Sequence, residues 1–153
     1  MKLLILEDNL DRIIAFRTVV SSFDNLELKV WRTAHEMIAD LSAELATTDL
    51  ISLDHDLVAD RGDADPGDGL EVVRALCAHS AICPVILHST NFNRVATMTR
   101  ELADANWSTV RVAPIGMGEN WIHTVWHKTV HGLLNQKGDD ADGHERPRAS
   151  AIR

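Results

Sequence analysis

Five short apolar runs, each followed by a segment whose apolar residues recur at helical spacing, constrain this chain more than any other feature. The runs fall at residues 2–6, 26–30, 50–53, 84–87 and 109–112. After the first, Ile13, Ile14, Phe16 and Val20 mark a helix over 10–20; after the second, Thr33 and Glu36 form a capping-box pattern ahead of Met37, Ile38, Leu41 and Leu45. Helices are further expected over 70–79, with Val72, Val73, Leu76 and Cys77 inward, over 93–106, and over 119–134, with Ile122, Val125, Trp126 and Val130 as the core stripe. Strand then helix, five times, predicts an α/β fold: a five-stranded parallel sheet with helices on both faces. Residues 1–135 make one domain on this reading. The stretch 136–153 is poor in apolar residues and is expected to be an unstructured tail.

In open parallel sheets the ligand crevice lies beyond the carboxyl ends of the strands. That rule brings three segments to one edge: Glu7 and Asp8 after the first strand, Asp54, His55 and Asp56 after the third, and His88, Ser89, Thr90 and Asn91 after the fourth. Carboxylates from Glu7, Asp8 and Asp54 converging there would repel one another, and a hard divalent cation relieves that repulsion. Mg²⁺ is the natural choice, with Mn²⁺ or Ca²⁺ as alternatives.

With a phosphate ester on such an ion, an activated water or Asp54 itself could attack phosphorus, and a histidine suits the acid that protonates the leaving oxygen. His55 and His88 are the candidates. The period of two along a strand turns His55 away from Asp54 and His88 away from Ser89 unless the chain bends, so the choice between them stays open, as does a purely structural role for either. Asn91 is a phosphate donor or, more simply, a helix cap. Arg12, one turn into the first helix, either reaches a substrate phosphate or makes a surface ion pair.

Charge narrows the partners. The net charge is −8, and residues 54–68 hold six aspartates against Arg61 alone. There is thus no broad basic surface for a nucleic-acid backbone, although a bound divalent ion would reverse that locally. The loop over 58–69, rich in Gly and Asp, exceeds the usual length of such a connection and is either functional or mobile. Cys77 and Cys83 have no metal-ligand spacing and read as reduced core residues of a cytoplasmic protein. The opening LLIL is too short for a membrane span or a signal core. His123, His127 and His131 stack on one helical face, but no acid or cysteine nearby completes a zinc site; they read as a flank or a homodimer surface.

The motifs LEDN, SLDHDL and HSTN, in that order, resemble the cyclic-phosphate-processing receiver domains, a variant of the response-regulator receiver, over about residues 2–134. The resemblance implies a flavodoxin-like sheet in the order 2-1-3-4-5 and a Mg²⁺ held by Glu7, Asp8, Asp54 and the backbone carbonyl of Asp56. It implies that Ser89 donates to a phosphoryl oxygen, and that Asp68-Gly69 is the Asp-Gly opening the third helix, displaced by an inserted loop. Two departures stand out. The receiver lysine before the proline after strand five is replaced in Ala113-Pro114, and polar residues His55, Asp56, His88 and Asn91 crowd the site.

The family reading implies a metal-dependent phosphoesterase acting on a nucleotide or RNA 2′,3′-cyclic phosphate, in the setting of RNA repair. The competing reading is a stand-alone phosphoacceptor, or a degenerate receiver serving as a signalling or interaction module.

Overall fold

The computed structural model describes residues 1–142 except Asp60, Ile115 and Met117, with backbone alone over 137–142. The elements run β1 (Lys2–Leu6), α1 (Leu10–Val20), β2 (Glu27–Trp31), α2 (Ala34–Glu44), β3 (Leu50–Leu53), α3 (Gly69–Leu76), β4 (Val85–Leu87), α4 (Phe92–Asp104), β5 (Thr109–Arg111) and α5 (His127–Asp142). A 3-10 turn, Leu45–Thr47, follows α2, and a π-helical turn, Ile122–Trp126, leads into α5. All five strands are parallel, in the order β2-β1-β3-β4-β5.

Alternation along the strands builds two apolar layers. Leu4, Leu6, Ile51, Leu53, Val85 and Leu87 pack against α2, α3 and α4. Leu3, Ile5, Leu50 and Ile86 face the other way, against Phe16 of α1 and Trp121, Trp126 and Val130 at the C-terminal end. The central strands β1, β3 and β4 are buried on both sides, as a doubly covered parallel sheet requires. Four helices start where a short polar side chain accepts from the backbone one turn on: Asn9 from Arg12, Thr33 from Glu36, Asp68 from Glu71 and Asn91 from Arg94. Each cap stands on the loop that leaves a strand's carboxyl end, so the capping chemistry also shapes the crevice.

Three expectations need correction. Ile14 is 63% exposed, and α1 buries Ile13, Ala15, Phe16, Val19 and Val20 instead; a run of adjacent apolar residues does not say which neighbour falls off the stripe. Val125 is 45% exposed, because the π turn adds a residue to the helical repeat and swings it outward while Trp121, Ile122 and Trp126 stay buried. The last helix continues to Asp142, beyond the end expected at 134, since an established helix adds a hydrogen bond with each residue whether or not that residue packs. The rest of the expected tail, 143–153, lies outside the described residues.

The long loop is tied at both ends. Asp8 Oδ2 accepts from the Val58 amide at 2.7 Å, and the Pro66 carbonyl accepts from Ala34 N at 2.8 Å. At its close, the Gly69 amide donates to the His55 carbonyl at 3.0 Å. Glycine is required there, since a Cβ on residue 69 would stand 2.1 Å from the Asp54 carbonyl oxygen and 2.9 Å from His55 Cα. Both are backbone atoms of the strand end that carries the site. Gly69→Ala is therefore expected to destabilise the protein by about 1–3 kcal/mol, the usual range for overpacking. An unchanged urea midpoint would show that this approach is not a constraint.

Candidate functional site

The carboxyl edge of β1 and β3 gathers Glu7, Asp8 and Asp54, with one carboxylate oxygen from each lying within 4.8 Å of the others. Glu7 and Asp54 are buried and Asp8 half-buried. Asp8 and Asp54 border a cleft of about 490 Å³ whose walls include Asn9, Arg12, Arg32, Asp56, Ser89 and Thr90. Among the described residues this is the one cluster of metal-ligating side chains.

Each carboxylate is held by its loop. Glu7 Oε1 accepts from the Asn9 amide at 3.0 Å, Asp8 Oδ2 takes the Val58 amide, and Asp54 Oδ1 accepts from the His55 amide at 2.7 Å. One oxygen of Glu7 and one of Asp54 remain directed at Arg12, whose Nη1 lies 3.6 Å from Glu7 Oε2 and 3.4 Å from Asp54 Oδ2. Glu7 Oε2 is buried and makes no hydrogen bond. An unsatisfied carboxylate oxygen next to two further acids is a poor arrangement by itself and a good one for a hard divalent cation. The residues present fit such an ion.

The two buried acids are pushed in opposite directions. Burial alone would raise the Glu7 carboxyl, but His88, the Asn9 amide and Arg12 outweigh it and hold Glu7 below its ordinary value. Asp54 is pushed up to about 6, chiefly by burial and also by the charge of Glu7, with His88, the His55 amide and Arg12 opposing. Two like charges at close range divide their protons in this way.

Alternation persists past the strand ends and separates the polar residues. His88 is fully buried on the α1 and α5 side, with Nε2 3.3 Å from Glu7 Oε2 and Nδ1 2.8 Å from Ser52 Oγ. Phe16 meets its ring edge-on at 5.3 Å. His55 turns to the opposite side, with Nε2 3.7 Å from Asp56 Oδ1 and Nδ1 4.0 Å from Asp68 Oδ1. Both imidazoles are covered, and neither borders the cleft. Asp56 does, but its carboxylate stands outside the acidic cluster and accepts from Asn91 Nδ2 at 3.1 Å. Asn91 also caps α4, so it serves both the helix and Asp56. Ser89 Oγ accepts from the Asn91 amide at 3.1 Å, which leaves its hydroxyl hydrogen for the cleft.

Three contributors, Arg32, Ser52 and Trp126, escaped the sequence reading. Arg32 follows β2, lines the cleft and donates from Nε to the Asp8 carbonyl at 3.2 Å; no motif marks it, because β2 carries no cluster of acids. Thr90, expected at this edge without a role, lines the cleft as well. Ser52 and Trp126 stand behind His88. A serine inside a strand of otherwise apolar buried residues was the available signal for Ser52. His127 and His131 flank Phe23, at ring distances of 5.2 and 6.3 Å, and join no metal-ligating cluster among the described residues. Neither Cys77 nor Cys83 is in a disulfide, and no described helix is long and apolar enough to cross a membrane.

The family model for the cyclic-phosphate processing receiver domain matches residues 2–104, about two thirds of the chain and the whole of the acidic edge. The chain belongs to that family. The sheet order matches solved receiver domains. The phosphorylated cyanobacterial phytochrome response regulator RcpA superposes with a TM-score of 0.66 at 21% identity, over 88% of this chain and 94% of that one. The response regulator domain of Thermotoga maritima CheB gives 0.62 at 14% identity, over 88% and 96%. At such identities the likeness establishes the receiver fold. No curated protein matches the chain.

The sign of the pH dependence follows from Asp54. Its carboxyl holds a proton more tightly folded, at about 6, than at its ordinary value of 3.8, so the contribution to stability is full below the unfolded value and is lost as pH rises through about 6. In EDTA, stability measured by urea denaturation is expected to fall between about pH 4 and 6, by an amount on the order of 1–3 kcal/mol. Asp54→Asn should flatten that fall and leave the variant more stable than wild type at pH 7. A wild-type profile flat across this window would contradict the argument.

Proposed function

We propose that this receiver-family protein is a metal-dependent phosphoesterase acting on a small phosphate ester, a nucleotide or RNA end carrying a 2′,3′-cyclic phosphate. The observation that carries this reading is the convergence of Glu7, Asp8 and Asp54, with one Glu7 oxygen that makes no hydrogen bond, beside a cleft lined by Asp8 and Asp54 in the region that a family model named for cyclic-phosphate processing covers. Glu7, Asp8 and Asp54 would hold a divalent cation, Mg²⁺ first and Mn²⁺ or Ca²⁺ in its place, with the backbone carbonyl of Asp56 as a further oxygen donor. When bound, the ion supplies Lewis-acid polarisation of the phosphoryl group and a template for its orientation.

The chain's own groups do the rest. Ser89 turns its hydroxyl hydrogen toward a phosphoryl oxygen, and the Arg12 guanidinium, 28% exposed beside Asp54, neutralises phosphate charge at the mouth of the cleft. Asp56, at the rim between His55 and Asn91, is placed to take a proton from an attacking water. His55 backs Asp56, and His88 backs Glu7, so both histidines act through the acids in front of them. A net charge of −8 suits a compact substrate or a chain end better than a long strand. The two free cysteines are in keeping with a cytoplasmic setting.

Turnover of 2′,3′-cyclic nucleotides with Mg²⁺ or Mn²⁺, followed by chromatography, tests the proposal. Asp54→Asn should lower it about a hundredfold or more, the scale on which metal-site damage is felt. No turnover by the wild type with any divalent ion or cyclic end would sink the enzyme reading. The signalling reading keeps one point in its favour, since Asp54 stands at the end of β3 in a receiver fold. It predicts one labile phosphoryl group by intact mass after incubation with acetyl phosphate, and the absence of a lysine at Ala113 argues against its retention.

A further inference from the structure

Behind the acidic cluster lies a chain of buried polar contacts that the phosphate chemistry does not use directly. Trp126 Nε1 donates to Ser52 Oγ at 3.0 Å, Ser52 Oγ meets His88 Nδ1 at 2.8 Å, and His88 Nε2 faces Glu7 Oε2 at 3.3 Å, where neither atom makes a hydrogen bond. All four side chains are fully buried. They come from four parts of the fold: the π turn before α5, β3, the loop after β4 and the loop after β1. Trp126 lies beyond residue 104, where the family match ends.

An indole nitrogen can only donate, so Ser52 accepts from Trp126 and still has its hydroxyl hydrogen to offer His88 Nδ1. A His88 that takes that hydrogen bond carries its own hydrogen on Nε2, on the side of the Glu7 carboxylate. The other tautomer would set a lone pair against an anion in a buried site, which is costly. Phe16 packs edge-on against both His88, at 5.3 Å, and Trp126, at 4.6 Å, and so fixes the two rings. The π turn sets Trp126 at the depth of Ser52, the kind of local widening of a helix that recurs at functional sites.

We infer that Trp126 and Ser52 are positioning residues for the acidic site: through the Nε2–H tautomer of His88 they hold the Glu7 carboxylate where it can take a divalent cation. The inference rests on the cation reading given above. Outer partners that orient a ligand in this way usually change metal affinity tenfold to a hundredfold when removed.

The test is Mn²⁺ binding by calorimetry on the full chain, paired with ¹⁵N NMR of the His88 ring in EDTA. Trp126→Phe removes the N–H while keeping an aromatic ring, and Ser52→Ala removes one oxygen; Ser52→Thr keeps the hydroxyl. Wild type and Ser52→Thr should bind alike, and Trp126→Phe and Ser52→Ala should bind about tenfold more weakly or worse. The wild-type ring should show the Nε2–H tautomer, and Ser52→Ala should mix the two forms in protein that is still folded, a change that loss of packing alone does not make. Should one variant fail to fold, the other decides. Equal Mn²⁺ affinity in all variants, or a wild-type His88 protonated at Nδ1 alone, overturns the inference. A wild type that binds no divalent ion would instead overturn the cation reading on which it rests, and that failure is visible before any variant is made.

Discussion

Two carboxylates buried side by side at the end of a parallel sheet are the constraint to which most of this structure answers. Glu7 and Asp54 are each all but inaccessible, and either would be costly to ionise there without help. The surrounding structure supplies that help unevenly. Glu7 has a backbone amide, an imidazole and a share of Arg12, and its carboxyl is held low. Asp54 has one backbone amide and the other share of Arg12, and its carboxyl is pushed up to about 6. The asymmetry leaves a half-neutralised pair, which is what a cation with oxygen ligands would complete.

The sheet produces this pair by simple alternation. Leu3, Ile5 and Glu7 fall on one face of β1 and its extension; Leu50, Ser52 and Asp54 continue that face on β3, and Ile86 and His88 on β4. This apolar layer turns polar over its last rung, where Glu7, Asp54 and His88 meet under Phe16 and Trp121. The opposite face ends in His55, which Asp68 and the start of α3 cover. Gly69 lets α3 approach the backbone of that strand end closely, so the inserted loop seals one side of the site, and Val58 at its start lines the cleft.

Much of this was legible in residue order. Strand-helix alternation is strong because each strand must be buried on both faces, and the acidic and polar residues stand at the strand ends where the topology needs them. The same period of two put Glu7, Ser52, Asp54 and His88 on one face, a grouping that pairing the strands makes plain. Side-chain depth was less legible. The sequence left open whether His55 and His88 face substrate or are structural; both are covered, because what lies over them comes from α1, α3 and the C-terminal helix, distant in sequence. Arg32 and Trp126 were hidden for the same reason: each acts across a long separation, and neither stands in a motif. The exposure of Val125 needed the π turn, a departure from helical period that composition does not announce.

Charge compensation separates this site from an ordinary phosphoacceptor. A receiver places its lysine beyond strand five, opposite the phosphoryl group; here Ala113 stands at that point, and Arg12 of α1 lies 3.4 Å from Asp54. Arg12 also contacts Glu7 and lies 5.8 Å from the Trp121 ring, so it bridges the acids to the segment before α5. Its guanidinium approaches from the mouth of the cleft, where an incoming phosphate would meet it, whereas a lysine beyond β5 would report from the side. With the positive charge on the first helix rather than the edge strand, a modified aspartate would lose a charge partner on the β5 side. On the ester reading proposed above, Arg12 would instead hold a phosphate that enters, reacts and leaves, which is the use this placement suits.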